Sequence, residues 1–273
     1  LWESLLRRSF WADGGGPVVF GAISALDAAL WDIRGRVADL PVHRLLGAAT
    51  PPPLRSYASQ LQFGWGEQVR NLTEPEEYRA VAAQVRAQGY DCVKVDPLMV
   101  APDATRDNAL RQHFSPERLG RYRERMAAVR EGVGPDCEII LELHSFTSVE
   151  TALQVTEALA GFGNMFVEEP THYNTPVSHL RFAAHSPLRI ALGERVYTRW
   201  GFRPYLEADS VDMIQPDIGL AGGISETKKI ADLAHIYDVG VQAHVCGSPL
   251  ATAIALQLEA AIPNFTILEH HSY

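Results

Sequence analysis

Six acidic or imidazole side chains close successive apolar runs at a nearly even interval: Glu142, Glu168, Glu194, Asp217, His244 and Glu269. The steps between them are 26, 26, 23, 27 and 25 residues, about one βα unit each. That spacing sets chemistry at the same end of consecutive parallel strands, where a (β/α) barrel carries its active site. Glu142, Glu168 and Glu194 end three neighbouring strands. Carboxylates converging in a confined space repel and raise one another's pKa, and a divalent cation removes that cost. Mg²⁺ suits them, since it takes hard oxygen ligands and keeps positions for water or substrate.

Asp217 and His244 close the next two strands. A carboxylate beside an imidazole orients the ring and raises its basicity, which makes His244 a candidate general base. His144 lies two residues beyond Glu142, so in an extended strand it points to the same side as that ligand and is a candidate acid. Lys94 and Asp96 repeat this i, i+2 geometry one strand earlier, as candidate substrate contacts. Glu269 is placed to touch a substrate oxygen or a water.

The elements that must carry these residues are legible as an alternation. Residues 18–40 read as an amphipathic helix, with Ile23, Leu26, Leu30, Ile33, Val37 and Leu40 in one stripe at helical period. Pro51-Pro52-Pro53 follows as a stiff connector. Eight strands are predicted over 54–61, 92–96, 138–144, 165–168, 190–194, 213–217, 241–244 and 266–269. Most are short and nearly all apolar, as strands buried on both faces must be. Helices lie between them. Thr73 with Glu76 and Thr147 with Glu150 predict capping boxes. Ser115-Pro116 and Ser248-Pro249 place a cap before a first-turn proline. Gly89 and Gly240 fall where helices need a left-handed residue at the C-terminus. One connection, residues 97–115, is long, polar and on the predicted active face, the kind of loop that commonly carries function.

Apolar content of 47% and charged content of 21% are ordinary for a globular protein, and 273 residues suffice for one barrel. A net charge of −9 argues against a nucleic-acid partner. No long apolar run resembles a membrane span. Three widely spaced cysteines give neither a disulfide framework nor a zinc pattern, as expected of a cytoplasmic protein. The start Leu1-Trp2-Glu3 carries no signal peptide and no initiator Met, so the chain is expected to begin inside a longer protein.

Taken together, the chain resembles the catalytic barrel of the enolase superfamily, mandelate racemase/muconate lactonizing enzyme subgroup, and within it the galactonate dehydratase-like sugar-acid dehydratases. The resemblance rests on the helix from Ala22 to Asp32, on Val93-Lys-Val-Asp-Pro97, Glu142-Leu-His144, Val167-Glu-Glu-Pro170, Ala191-Leu-Gly-Glu-Arg195, Gln215-Pro-Asp217, Ala221-Gly-Gly-Ile-Ser-Glu226 and Ala243-His244. It implies an α/β fold, a modified TIM barrel of (β/α)₇β form preceded by an amphipathic helix. Residues 1–50 would be a leading helical segment packed on the barrel and residues 51–273 the barrel, with the family's N-terminal capping domain absent. It implies Mg²⁺ on Glu142, Glu168 (the first acid of its pair) and Glu194, an Asp217–His244 base and His144 as acid. The implied activity is a hydro-lyase taking water from an aldonate or aldarate to give a 2-keto-3-deoxy acid. The alternatives are a cycloisomerase or epimerase on the same site, or a non-catalytic sugar-acid-binding regulator. The partners implied are a small sugar acid and further copies of the chain.

Three departures from the family pattern matter. Glu142 stands where many relatives have Asp. Asp96 replaces the second lysine of the racemases, which removes a two-base racemisation. The capping domain and the segment after the eighth strand are expected to lie outside this sequence.

Overall fold

In the computed structural model the described residues are 2–8, 10, 15–50 and 53–272, so Pro51 and Pro52 of the connector lie outside them. The helices are α1 (Trp2–Arg8), α2 (Pro17–Ala38), α3 (Val42–Leu45), α4 (Pro75–Ala87), α5 (Pro116–Val133), α6 (Val149–Leu159), α7 (Pro176–Ala183), α8 (Thr198–Glu207), α9 (Gly223–Ile236) and α10 (Pro249–Glu259). The strands are β1 (Ser56–Ala58), β2 (Gly64–Trp65), β3 (Gln68–Val69), β4 (Cys92–Val95), β5 (Glu138–Glu142), β6 (Asn164–Glu168), β7 (Ile190–Leu192), β8 (Met213–Ile214), β9 (Gly240–Val241) and β10 (Leu268–His270). Eight of them form one sheet in the order β10-β1-β4-β5-β6-β7-β8-β9, and β2 and β3 make a small antiparallel ribbon. The pairs β1–β4, β4–β5, β5–β6, β6–β7 and β8–β9 are parallel. Helices α4 to α10 alternate with these eight strands. The fold is α/β, a modified TIM barrel of (β/α)₇β form.

Several strands end earlier than their apolar runs. The first closes at Ala58, because Gln60 adopts φ 63° and turns the chain into a 3₁₀ turn at Leu61–Phe63. Asp217 and His244 lie beyond β8 and β9 and meet as an isolated parallel bridge. The caps also shift. Helix α4 starts at Glu74 rather than Thr73, and Glu77 reaches back to accept the Thr73 and Glu74 N–H groups at 2.9 and 3.1 Å. Helix α6 starts at Ser148, whose Oγ accepts from Thr151 N at 3.2 Å. The Ser115 and Ser248 caps form as expected. Gly89 is left-handed at φ 98°, but at the end of α9 Asp238 takes that role at φ 56°. Gly240 instead opens β9, where a Cβ would lie 2.5 Å from Thr266 Oγ1.

The described residues divide into two compact units, Leu1–Arg55 with Leu192–Glu269, and Ser56–Ala191 with His270–Tyr273. In the second, Val93, Val95, Ile139, Leu141 and Val167 of the strands bury against Tyr78, Ala82, Met126 and Val129 of α4 and α5. In the first, α2 packs on α9, and here the predicted stripe is corrected. Only Ile23 of the six is buried, while Leu26, Leu30, Ile33, Val37 and Leu40 are exposed, Val37 by 84%. The buried face carries Phe20, Ile23, Ser24, Asp27 and Gly35 instead. The reason is polar. The N-cap of α9 is Gly222, which has no side chain to satisfy the first-turn N–H groups. Ser24 Oγ accepts from Gly222 N at 3.2 Å and Asp27 Oδ2 from Ser225 N at 2.8 Å, so α2 caps α9 from outside. No helix is long and apolar enough to cross a membrane among the described residues.

Candidate active site

Five predicted residues come together at the ends of β4, β5 and β6. Glu142 and Glu168 are direct register partners across β5 and β6, both fully buried. Like charges facing across a ladder destabilise it. Lys94 of β4 answers them, with Nζ 2.6 Å from Glu168 Oε1 and 3.4 Å from Glu142 Oε2. The lysine, expected as a substrate contact, is itself fully buried as a counter-charge. The neighbouring acid Glu169 turns away at φ 48° and accepts from Ser145 Oγ, which leaves Glu168 as the acid facing Lys94.

His144 is not in the strand. β5 stops at Glu142, and His144 and Ser145 are left-handed at φ 48° and 57°. This turn, rather than strand alternation, brings His144 Nε2 to 3.1 Å from Glu142 Oε1. Its Nδ1 lies 2.7 Å from Asp96 Oδ2. Asp96 is fully buried, and its Oδ1 accepts from Leu98 N and Met99 N at 2.8 and 3.0 Å. Asp96, also expected as a substrate contact, therefore orients His144. Sequence reasoning missed Gln60, whose Nε2 donates to Glu142 Oε2 at 2.9 Å and lies 3.2 Å from His144 Nε2. Gln62 donates to Gln60 Oε1 and accepts from Asp96 N at 3.1 Å. Two glutamines at i, i+2 at the end of the first predicted strand were the available signal.

The other four predicted residues come together in the first unit. Glu194 follows Gly193, whose φ of 146° and whose approach to Gln215 N (2.8 Å from a built Cβ) admit no side chain. Glu194 Oε2 lies 3.4 Å from His244 Nε2, and Asp217 Oδ2 lies 2.7 Å from His244 Nδ1. Asp217 Oδ1 is fixed by Gly219 N at 2.8 Å. Burial alone would push the imidazole pKa down, but Glu269, Asp217 and Glu194 outweigh it and raise it well above the ordinary histidine value.

The backbone around His244 is held by side chains. Ala243 N donates to Glu259 Oε1 at 2.8 Å, Gln242 Nε2 donates to Ala243 O at 2.7 Å, and Val245 N donates to Glu269 Oε2 at 2.9 Å. Glu259, on α10, had no role in the sequence reading. Of the remaining histidines, His179 is buried, His113 is exposed beside Glu150, and His270 stacks on Tyr90.

The structure has an Asp–His pair beyond a parallel strand and a facing pair of strand-end glutamates, as the resemblance implies. Residues 77–273 match the enolase C-terminal domain-like family, and residues 1–47 match the mandelate racemase/muconate lactonizing enzyme N-terminal domain. The chain belongs to the enolase superfamily. A solved member of that superfamily from Salmonella Typhimurium superposes with a TM-score of 0.96 at 44% identity, covering 100% of this chain and 70% of that one. A D-galactonate dehydratase of Ralstonia pickettii (strain 12J) is 33% identical over 273 residues, 98% of this chain and 65% of its own. A D-gluconate dehydratase of Thermoproteus tenax is 32% identical over 248 residues, 91% of this chain and 47% of its own. The chain thus spans roughly half to two thirds of the length of these curated relatives.

Proposed function

We propose that this chain carries the catalytic barrel of a Mg²⁺-dependent dehydratase acting on an aldonate or aldarate sugar acid, with residues 1–50 as a leading segment. The observation that carries the reading is the repetition of one device. His144 and His244 each have Nδ1 2.7 Å from an aspartate, and each turns Nε2 toward a proposed metal ligand, 3.1 Å from Glu142 and 3.4 Å from Glu194.

Glu142, Glu168 and Glu194 would hold the Mg²⁺. The donor set fits: all oxygens, hard and anionic. Strand register supports the first two, since Glu142 faces Glu168 across β5 and β6. When bound, Mg²⁺ polarises the substrate carboxylate and lowers the cost of negative charge developing beside it.

His244 Nε2 takes the C2 proton while Asp217 fixes the ring and stabilises the imidazolium. His144 Nε2 gives its proton to the departing C3 hydroxyl, with Asp96 holding Nδ1. Water leaves, and the enol ketonises to a 2-keto-3-deoxy acid. Glu269, anchored by Val245 N–H, is the contact for a substrate oxygen or water. The reading places the enzyme in the cytoplasm, assembled from several copies.

The test is C2-proton exchange in deuterated solvent and NMR of products across a sugar-acid panel. Dehydration gives a keto-deoxy product, and His244→Asn abolishes exchange. An isomer of unchanged mass, or exchange that persists in His244→Asn, overturns the reading.

A further inference from the structure

Residues 97–115 are a braced wall. Val100 and Arg106 form an antiparallel bridge, closed by Ala101 N to Thr105 O and Asp107 N to Met99 O, both 2.8 Å. Asp103 Oδ1 accepts from Thr105 N at 3.0 Å and from its Oγ1 at 2.6 Å inside the turn. From below, the fully buried Arg125 donates to Pro97 O at 2.7 Å and Val100 O at 2.8 Å. Further on, Arg118 pairs with Asp107 and donates to Ala109 O at 3.1 Å.

Two of the arginines of this region are therefore committed to the scaffold. Arg106 is not. It is exposed, and among the described residues no carboxylate is within ion-pair distance of it. Its guanidinium lies 4.2 Å from the centre of the Phe146 ring. Phe146 in turn stacks on His144, with ring centres 6.1 Å apart and planes 25° apart. A guanidinium over an aromatic face is held in place while its in-plane N–H donors stay available for a carboxylate. The apolar ring also keeps water from one side of such a pair, which strengthens it.

The two sugar-acid classes compatible with the dehydratase differ at one end. An aldonate finishes in a neutral hydroxymethyl group, and an aldarate in a second carboxylate. If His144 protonates the C3 hydroxyl, the rest of the carbon chain runs on from His144, and the exposed cation linked to it through the Phe146 ring is Arg106. We infer that Arg106 reads the far end of the substrate, so that the site prefers six-carbon aldarates to the matching aldonates. The inference rests on the sugar-acid reading of the site and sharpens it to one class.

The experiment measures binding by calorimetry in saturating Mg²⁺, using the chain and Arg106→Gln. The probes are matched pairs, galactarate with galactonate and glucarate with gluconate. The expected result is tighter binding of the diacid in at least one pair, with that preference cut about tenfold or more in Arg106→Gln, the size of a lost charge-assisted contact. Arg106 is exposed, so the variant folds. Absence of any diacid preference, a preference that survives the substitution, or no binding of either acid overturns the inference. C2 exchange run in parallel keeps the two readings apart. Exchange without a diacid preference removes the role of Arg106 alone. An Arg106-dependent preference without exchange removes the reaction alone.

Discussion

Replacing Glu259 by Gln separates two properties of one buried acid. Glu259 is 1% exposed, its Oε1 accepts the Ala243 N–H at 2.8 Å, and burial pushes its carboxyl well above the ordinary value of 4.5, with the Ala243 N–H opposing and Glu269 adding to the rise. A raised folded-state pKa means that the native state binds the proton more tightly than the unfolded chain. The stabilising contribution is therefore complete below about pH 4.5 and is lost as pH rises toward the folded-state pKa. The steepest loss one group can give is about 1.4 kcal/mol per pH unit. Glu259→Gln keeps a carbonyl acceptor for Ala243 N and cannot ionise. Its unfolding free energy, from urea melts at pH 5 to 8, should gain on that of the unsubstituted chain as pH rises, at up to that slope. Glu259→Leu leaves a buried N–H without its acceptor, at a cost of about 1–3 kcal/mol relative to Gln that is independent of pH. A Glu-minus-Gln difference that is flat over this range would refute the argument, since the acid would then be ionised in the folded state.

Three further outcomes follow from the same geometry. Lys94→Met leaves Glu142 and Glu168 facing without their ammonium and should cost about 3–5 kcal/mol in melts without metal, with partial recovery in Mg²⁺. Asp96→Asn removes the carboxylate that orients His144, so dehydration should fall by about 100- to 10,000-fold while C2 exchange, which needs His244, persists in NMR. Gly193→Ala forces a Cβ against Gln215 at φ 146°, and thermal melts should show about 1–3 kcal/mol of destabilisation.

The even spacing of strand-end acids made the barrel and both site clusters legible, because a βα unit has a narrow range of lengths. What spacing does not encode is which neighbour a side chain meets. Lys94 and Asp96 point into the site region as alternation requires, but their partners, Glu168 and His144, come from other strands and turns. His144 reaches Glu142 through two left-handed residues that no periodicity announces. The stripe of α2 misled for a related reason. Helical period locates an apolar face, whereas the buried face was chosen by the missing cap at Gly222 and by Ser24 and Asp27, which supply it.

Lys94 also sets an order of events. A domain whose ligands can be enclosed only with their metal must capture that metal in order to fold, as small zinc domains do. Here the ends of β5 and β6 close around an ammonium that the chain itself brings, 2.6 Å from Glu168 and 3.4 Å from Glu142. If the proposed Mg²⁺ binds there, the ammonium lets these strand ends close without it. A chelator should then yield a folded chain that Mg²⁺ can recharge, and thermal melts with and without the chelator check it.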